Sequence, residues 1–193
     1  MSSKNDKFYL KLALNLAKQN EGLTNENPSV GCVIVKDNKI LSLSKTSISG
    51  RPHAEDNAIR FANTNDLKGS TIYVTLEPCT HHGKTPPCTD LIIKKKISKI
   101  VYASNDIDER TANKLKKVLK NHNISTKQIR MKEITDFYKS YFFIRKNKFP
   151  YITAKLACSN DYYIYSKKNK NITNELSRKT SHLLRYKNNA ILI

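Results

Sequence analysis

Three side chains in this sequence could hold a metal ion, and a fourth could move protons beside it. His53 opens His53-Ala54-Glu55, and the stretch from Thr75 to Asp90 contains Cys79 and Cys88, each directly after a proline. One imidazole and two thiolates fill three of the four positions that Zn²⁺ prefers. The fourth then stays open to water, which is the pattern of a catalytic rather than a structural zinc site. Two thiolates and a neutral imidazole leave the ion formally neutral, so a water held there acidifies toward a pKa of about 7. Glu55 stands where it could accept that proton and hand it on. Taken alone, Glu55 reads as a first-turn glutamate complementing a helix dipole. Beside His53 and the two cysteines, the chemical reading is preferred.

Other residues invite weaker readings. His81 and His82 lie between the cysteines and could complete a closed Cys₂His₂ site, but that would leave His53-Ala54-Glu55 without a purpose. They are expected to line the pocket or face solvent. Lys84, in the same loop, is either a solvated charge or a group that meets a substrate oxygen or phosphate. Cys32 lies in an apolar run and reads as a small buried hydrophobe.

The elements around these residues must bring them together. Proline suits a first helical turn, so Pro52 and Pro87 should set His53 and Cys88 at helix N-termini. The positive end of a helix dipole would help hold Cys88 as a thiolate, and Cys79 too if its loop folds back. Before them, residues 6–20 show helical spacing, with Tyr9, Leu12, Ala13, Leu16 and Ala17 on one face. Gly22 to Pro28 is a loop. Val30 to Val35 and Ile40 to Ser44 read as strands joined by a turn at Asp37-Asn38-Lys39. A helix runs from His53 to about Asn65, and a strand from Ile72 to Leu76. After the cysteine loop come a helix over Cys88 to Lys95, a strand over Ile100 to Ala103 and a helix over Ala112 to Lys120. A strand over Ile124 to Met131 and a helix over Glu133 to Arg145 close the series. The last helix should turn Phe137, Tyr138, Tyr141 and Phe142 inward. Strands alternating with helices at these lengths predict a layered α/β domain. Asn147-Lys148-Phe149-Pro150 is the one credible boundary, giving domains 1–147 and 148–193.

Composition narrows the partners. The chain has 193 residues, enough for one packed domain and part of a second. Lys plus Arg number 35 against 16 Asp plus Glu, a formal charge of +19. The lysines are spread along the chain rather than clustered, so nucleic acid is not the expected partner. The field favours small anionic substrates, phosphorylated ones included. Charged residues interrupt the N-terminal region, which argues against a signal peptide. No run approaches the roughly 18 apolar residues of a membrane span. The expected location is the cytoplasm, where cysteines hold metals more often than disulfides.

His-Ala-Glu opening one helix, then Glu-Pro-Cys after a strand, then Pro-Cys opening another helix resembles the signature of the zinc nucleobase deaminases. Within that class the loop between the cysteines is distinctive. Cytidine and tRNA adenosine deaminases have two residues there; this sequence has eight. Glu77-Pro78-Cys79-Thr80-His81-His82-Gly83-Lys84-Thr85-Pro86-Pro87-Cys88 closely resembles the deaminase half of the bifunctional riboflavin biosynthesis deaminase–reductase. So do Asn27-Pro28-Ser29-Val30-Gly31-Cys32-Val33-Ile34-Val35 and Gly50-Arg51-Pro52-His53-Ala54-Glu55. The resemblance covers about residues 7–145, then continues more weakly.

It implies a three-layer α/β/α, cytidine-deaminase-like domain with a mixed five-stranded sheet, followed by a short incomplete C-terminal segment. It implies one Zn²⁺ per chain on His53, Cys79 and Cys88, with Glu55 as general acid and base. The implied reaction is hydrolytic deamination of 2,5-diamino-6-(5-phosphoribosylamino)pyrimidin-4-one to 5-amino-6-(5-phosphoribosylamino)uracil and ammonia. Asn27, Lys84 and His81 fall at positions expected near that phosphoribosylated pyrimidine. Some family members have a histidine seven residues before the zinc histidine. Here Thr46 takes that place and is carried as a candidate contact of a different kind. Asp106-Ile107-Asp108-Glu109-Arg110 and Asn113-Lys114-Leu115 replace a Pro- and Gly-rich segment.

Pro150-Tyr151-Ile152-Thr153-Ala154-Lys155-Leu156-Ala157 resembles the opening strand of the family's dihydrofolate-reductase-like domain. Ser159-Asn160-Asp161-Tyr162 departs from the Ser-Leu-Asp-Gly expected next. Ile172-Thr173 and Arg185 fit more weakly, and the chain stops within what reads as another strand. No reductase activity and no NADPH binding are expected, so a separate reductase would serve the next step. Assembly into a homo-oligomer is suggested by analogy of fold alone. Two other readings stay open: a deaminase of the same fold acting on guanine, cytosine or tRNA adenosine, and a non-catalytic zinc-stabilised binding protein.

Overall fold

The computed structural model describes residues 3–63, 67–165, 167 and 171–188. The chain divides into two units, Met1–Phe149 and Pro150–Ile193. In the first, strands β1 (Gly31–Lys36), β2 (Lys39–Lys45), β3 (Thr71–Leu76), β4 (Lys99–Ser104) and β5 (Ser125–Gln128) form one sheet in the order β2-β1-β3-β4-β5. β1 runs antiparallel to both β2 and β3, while β3, β4 and β5 are parallel. This is the mixed five-stranded sheet expected from the sequence. Asp37 and Asn38 both take positive φ, 49° and 61°. That is the backbone of a two-residue hairpin turn whose twist matches its strands. The parallel strands need helical crossovers. Helices α3 (Cys88–Lys94) and α4 (Leu115–Leu119) supply them.

Helix α1 (Ser3–Gln19) covers one face of the sheet. Its buried side chains are Asp6, Tyr9, Leu10, Ala13, Leu14 and Ala17. Leu12 and Leu16, expected at the centre of this face, sit half-buried at its margin, and Leu10 and Leu14 take their place. The reason lies in the strand beneath. A Cβ at Gly31 would come 1.8 Å from the Ala13 carbonyl oxygen, so helix and strand meet backbone to backbone there. The row of side chains on this face also carries polar cargo. The Tyr73 hydroxyl donates to Asp6 Oδ1 at 2.9 Å and Lys127 Nζ to Asp6 Oδ2 at 2.7 Å. Burial pushes Asp6 up, but these partners outweigh it and hold the carboxyl below its ordinary value.

Side chains alternate across a strand, so Cys32 and Ile34 face the opposite layer. Helix α2 (Ala54–Phe61) packs there on β1 and β2, and α3 packs beside α2. Cys32 is fully buried, a core residue as expected.

Several boundaries differ from expectation. α2 leaves helical geometry at Ala62, short of the predicted end near Asn65, which lies outside the described residues. α4 begins three residues late because Asn113 adopts φ 60°, a left-handed conformation no helix interior accepts. β5 keeps only the four residues that pair with β4. The predicted helix over 133–145 is two helices, α5 (Lys132–Phe137) and α6 (Lys139–Asn147), broken at Tyr138. The break lets the Tyr138 hydroxyl reach inward. It donates to the Ser29 carbonyl at 3.0 Å and lies 2.6 Å from Thr75 Oγ1, which accepts the Gly31 amide. Tyr138 is buried, while Phe137, Tyr141 and Phe142 are only half-buried against the core.

In the second unit, residues 150–158 form no strand. A strand persists when a neighbouring strand takes its backbone groups, and no strand pairing forms there among the described residues. A turn follows, in which Ser159 and Tyr162–Tyr163 bond to one another. Helix α7 (Glu175–Tyr186), not anticipated from the sequence, is capped by Asn174, whose Oδ1 accepts the Ser177 amide at 2.8 Å. The strand predicted at the C-terminus lies outside the described residues. Among those described, no helix is long and apolar enough to cross a membrane.

Candidate metal centre

His53 is the N-cap of α2, with Pro52 before it, and Cys88 is the first residue of α3, with Pro87 before it. Cys79 lies in the loop leaving β3. These three segments meet at the end of the sheet. The ligand atoms of His53, Cys79 and Cys88 all lie within 4.8 Å of one another. His53 Nδ1 is 3.7 Å from Cys79 Sγ and 3.5 Å from Cys88 Sγ. Zinc bonds of about 2.1 Å to nitrogen and 2.3 Å to sulfur at tetrahedral angles require an N···S edge of about 3.6 Å. The donor set therefore fits Zn²⁺ in both chemistry and spacing.

The loop does fold back onto the helix. The Cys88 amide donates to Cys79 Sγ at 3.2 Å, and Thr89 ties the Cys79 carbonyl through its amide and its hydroxyl. The helix N-terminus thus serves Cys79 more directly than Cys88. A hydrogen bond from Cys88 holds the Cys79 thiol down to about 4 against the effect of burial, with help from His53. The same shared bond, then burial, pushes Cys88 up. Between themselves the two sulfurs thus favour one thiolate and one thiol, and a cation binding both would draw out the second proton. The Cys79 contact raises His53. Glu55, only 4% exposed, is pushed up to about 7, chiefly by burial and partly offset by His53.

The remaining candidates are placed as follows. His81 is half-buried, with Nδ1 2.9 Å from Thr111 Oγ1. His82 points outward, 3.7 Å from Asp90. Neither belongs to the ligand cluster found among the described residues, and neither does Cys32. Lys84 is exposed on the inter-cysteine loop. Asn27 donates to the Gly50 carbonyl at 3.2 Å, bracing the turn that delivers His53. That turn needs glycine: Gly50 has φ 87°, and a Cβ there would lie 2.5 Å from the Thr24 carbonyl oxygen. Thr46 is buried, and its hydroxyl accepts the Val30 amide at 2.9 Å.

Two residues quoted for their motifs turn out to have structural work that their spacing did not reveal. Arg51 Nη1 donates to Thr85 Oγ1 at 2.8 Å, linking the histidine turn to the inter-cysteine loop. Glu77 is 3% exposed and accepts three backbone amides. An acidic residue directly after a fully buried strand was the available signal. A cavity of about 300 Å³ opens beside His53 and Cys88, walled by Asp56, Arg60, Pro86, Leu91 and Lys94. Neither Glu55 nor Cys79 lines it, so it is a groove on the flank of the centre, between α2 and α3.

A mixed sheet with a His/Cys/Cys centre at the end of its strands and a buried glutamate beside it defines a class. The chain belongs to the zinc-binding cytidine and deoxycytidylate deaminase family, whose zinc-binding region matches residues 3–104. Within that class it is 42% identical over 147 residues to the diaminohydroxyphosphoribosylamino-pyrimidine deaminase of Buchnera aphidicola subsp. Acyrthosiphon pisum, covering 76% of this chain and 99% of that protein. It is 41% identical over 191 residues to the riboflavin biosynthesis protein RibD of Aquifex aeolicus, covering 97% of this chain and 53% of that one. The solved structure of RibD from Acinetobacter baumannii superposes with a TM-score of 0.82 at 33% identity, over 95% of this chain and 52% of that one. The resemblance read from the motifs is borne out. The chain spans about half the length of the RibD proteins it matches.

Proposed function

We propose that this protein hydrolytically deaminates 2,5-diamino-6-(5-phosphoribosylamino)pyrimidin-4-one to 5-amino-6-(5-phosphoribosylamino)uracil and ammonia, a step of riboflavin biosynthesis. The observation that carries the reading is the convergence of His53, Cys79 and Cys88 at zinc spacing. The match to a Buchnera deaminase over 99% of that protein's length supports it.

His53, Cys79 and Cys88 would hold one zinc ion per chain. When bound, zinc supplies the Lewis acidity that lowers the pKa of a water to about 7. Glu55 takes a proton from the attacking water and returns it to the ring nitrogen; a second passage delivers a proton to the departing amine. The C–O bond forms as the ring C=N double bond gives its π electrons to the protonated nitrogen; the C–N bond to the amine then breaks as the carbonyl forms, and ammonia leaves. Burial of Glu55 keeps bulk water from exchanging that proton. His81 and Lys84 on the inter-cysteine loop, with Asn27, are the proposed substrate contacts. Thr46, buried and bonded to Val30, is left out of that set.

Residues 148–193 are proposed as the N-terminal part of a dihydrofolate-reductase-like domain that does not bind NADPH by itself. A separate reductase would then take the product onward. The same proposal includes a cytoplasmic location and self-association, the latter by analogy of fold.

The test follows ammonia release from the phosphoribosylated diaminopyrimidinone in competition with tRNA, guanine and cytosine, with zinc content measured alongside. Release from the diaminopyrimidinone by protein holding one zinc equivalent is expected. Release from tRNA or a free base alone would overturn the substrate assignment. Stoichiometric NADPH binding by calorimetry would overturn the view of the second unit.

A further inference from the structure

Glu77 is a buried carboxylate that the chemistry above does not use. Its Oε2 accepts the amides of Asp106 at 3.3 Å and Asn113 at 3.1 Å, and its Oε1 accepts that of Leu115 at 3.3 Å. Leu115 is the first residue of α4, so the carboxylate gathers the whole 105–115 loop and seats the start of a helix. Its own amide donates to the Ser104 carbonyl at 2.8 Å, which fixes the chain two residues before Cys79. The gathered loop then reaches back. Thr111, fully buried, bonds His81 through its hydroxyl, and Thr80 Oγ1 donates to the Arg110 carbonyl at 3.3 Å. Both contacts fall on the first residues after Cys79.

We infer that Glu77 is a positioning residue: it clamps the 105–115 loop against the inter-cysteine loop and so fixes His81 for recognition of the substrate. The part concerning substrate rests on the function proposed above; the clamp does not. The 105–115 loop contains neither Pro nor Gly and is rich in Asp and Asn. Those residues do not stiffen a backbone, so order must come from elsewhere. One carboxylate accepting three amides is such a source, since leaving buried N–H groups without acceptors is costly.

The variants Glu77→Gln and Thr111→Val test the inference in the full chain. Glutamine keeps the volume but has one carbonyl oxygen, and its NH₂ would face a backbone donor. Thr111→Val keeps the shape and removes only the partner of His81; Thr111→Ser should restore it. Hydrogen exchange read by mass spectrometry, on zinc-loaded and zinc-free protein, should speed up in Glu77→Gln at 105–115 and also at 80–82, while β1 and β3 stay protected. With the phosphoribosylated pyrimidine as substrate, both variants should raise KM by about tenfold or more with kcat within about threefold. One zinc equivalent should be retained. Exchange that speeds up at 105–115 but not at 80–82, or at neither, overturns the clamp whatever the activity. A fall in kcat at unchanged KM overturns the role in recognition. Wild-type protein that is inert toward this substrate sinks the functional reading and leaves the exchange test standing.

Discussion

Two apolar runs with strand-like composition have different fates in this molecule. Gly31–Lys36 is paired on both sides, and Val33 and Ile34 are wholly shielded from solvent. Ile152 to Leu156 alternates apolar and polar residues as a strand should, yet forms none, with Ile152 79% and Leu156 73% exposed. Both patterns suit a strand, one buried on both faces and one on a single face; the neighbours decide the outcome. β1 has a hairpin partner two residues away and a second partner in β3. The run in the second unit joins no sheet among the described residues. Strand propensity expresses how well a segment fits a pleated, half-buried surface, and it has no effect where that surface is missing. The chemistry follows the same division. Every proposed zinc ligand, and Glu55 with them, lies in the unit that found its partners.

That contrast can be broken or sharpened by experiment. The largest effect should come from Glu55→Gln, which is expected to lower turnover by about 10²-fold or more while zinc content and the melting of the first unit stay unchanged. Unchanged turnover would remove Glu55 from the chemistry. Gly31→Ala should destabilise the first unit by about 3 kcal/mol, because the obstructing atom is a helix carbonyl that cannot rotate aside. Urea unfolding reads this, and a wild-type midpoint would mean α1 can lift away from β1.

Asp6→Asn should cost less, about 1–2 kcal/mol at neutral pH. The folded carboxyl lies below its ordinary value. Its contribution is therefore complete above the unfolded pKa of about 3.9 and is lost as pH falls through the lower folded value. The variant should show a shallower loss of stability below about pH 4, measurable by thermal melts across pH 2–7. The smallest effect is expected from deleting residues 150–193, which should leave deaminase turnover within about twofold if the first unit is self-sufficient. A tenfold loss would show that the second unit supports the first.

The long elements, and the convergence of His53, Cys79 and Cys88, were largely readable from the sequence. Each of the five strands overlaps a predicted one, although the four residues of β5 are all polar, and the proline before each of His53 and Cys88 indicated where their helices begin. What was not readable depended on single backbone conformations or on distant partners. Asn113 in a left-handed conformation shortens α4; asparagine tolerates that conformation without requiring it, so its presence in Ala112 to Lys120 does not settle where the helix starts. Leu10 and Leu14 displace Leu12 and Leu16 from the core because α1 settles on the groove at Gly31, a fact of β1 rather than of the helix. Glu77 was visible as part of a motif, but its three amide partners lie 29 to 38 residues away. α7 differs from the family pattern expected there, and its one local signal is the capping asparagine, Asn174.

The interruption at Tyr138 sets a limit for anyone who wishes to make this unit smaller. The phenol acts as a buckle: a relay of hydrogen bonds runs from the Gly31 amide through Thr75 and Tyr138 to the Ser29 carbonyl. It fastens the final helical pair to the root of β1. Chain trimmed from its far end can be shed up to α6 without touching that fastening. Trimming past Tyr138 opens it at the middle of the sheet, on the strand that leads to Cys79.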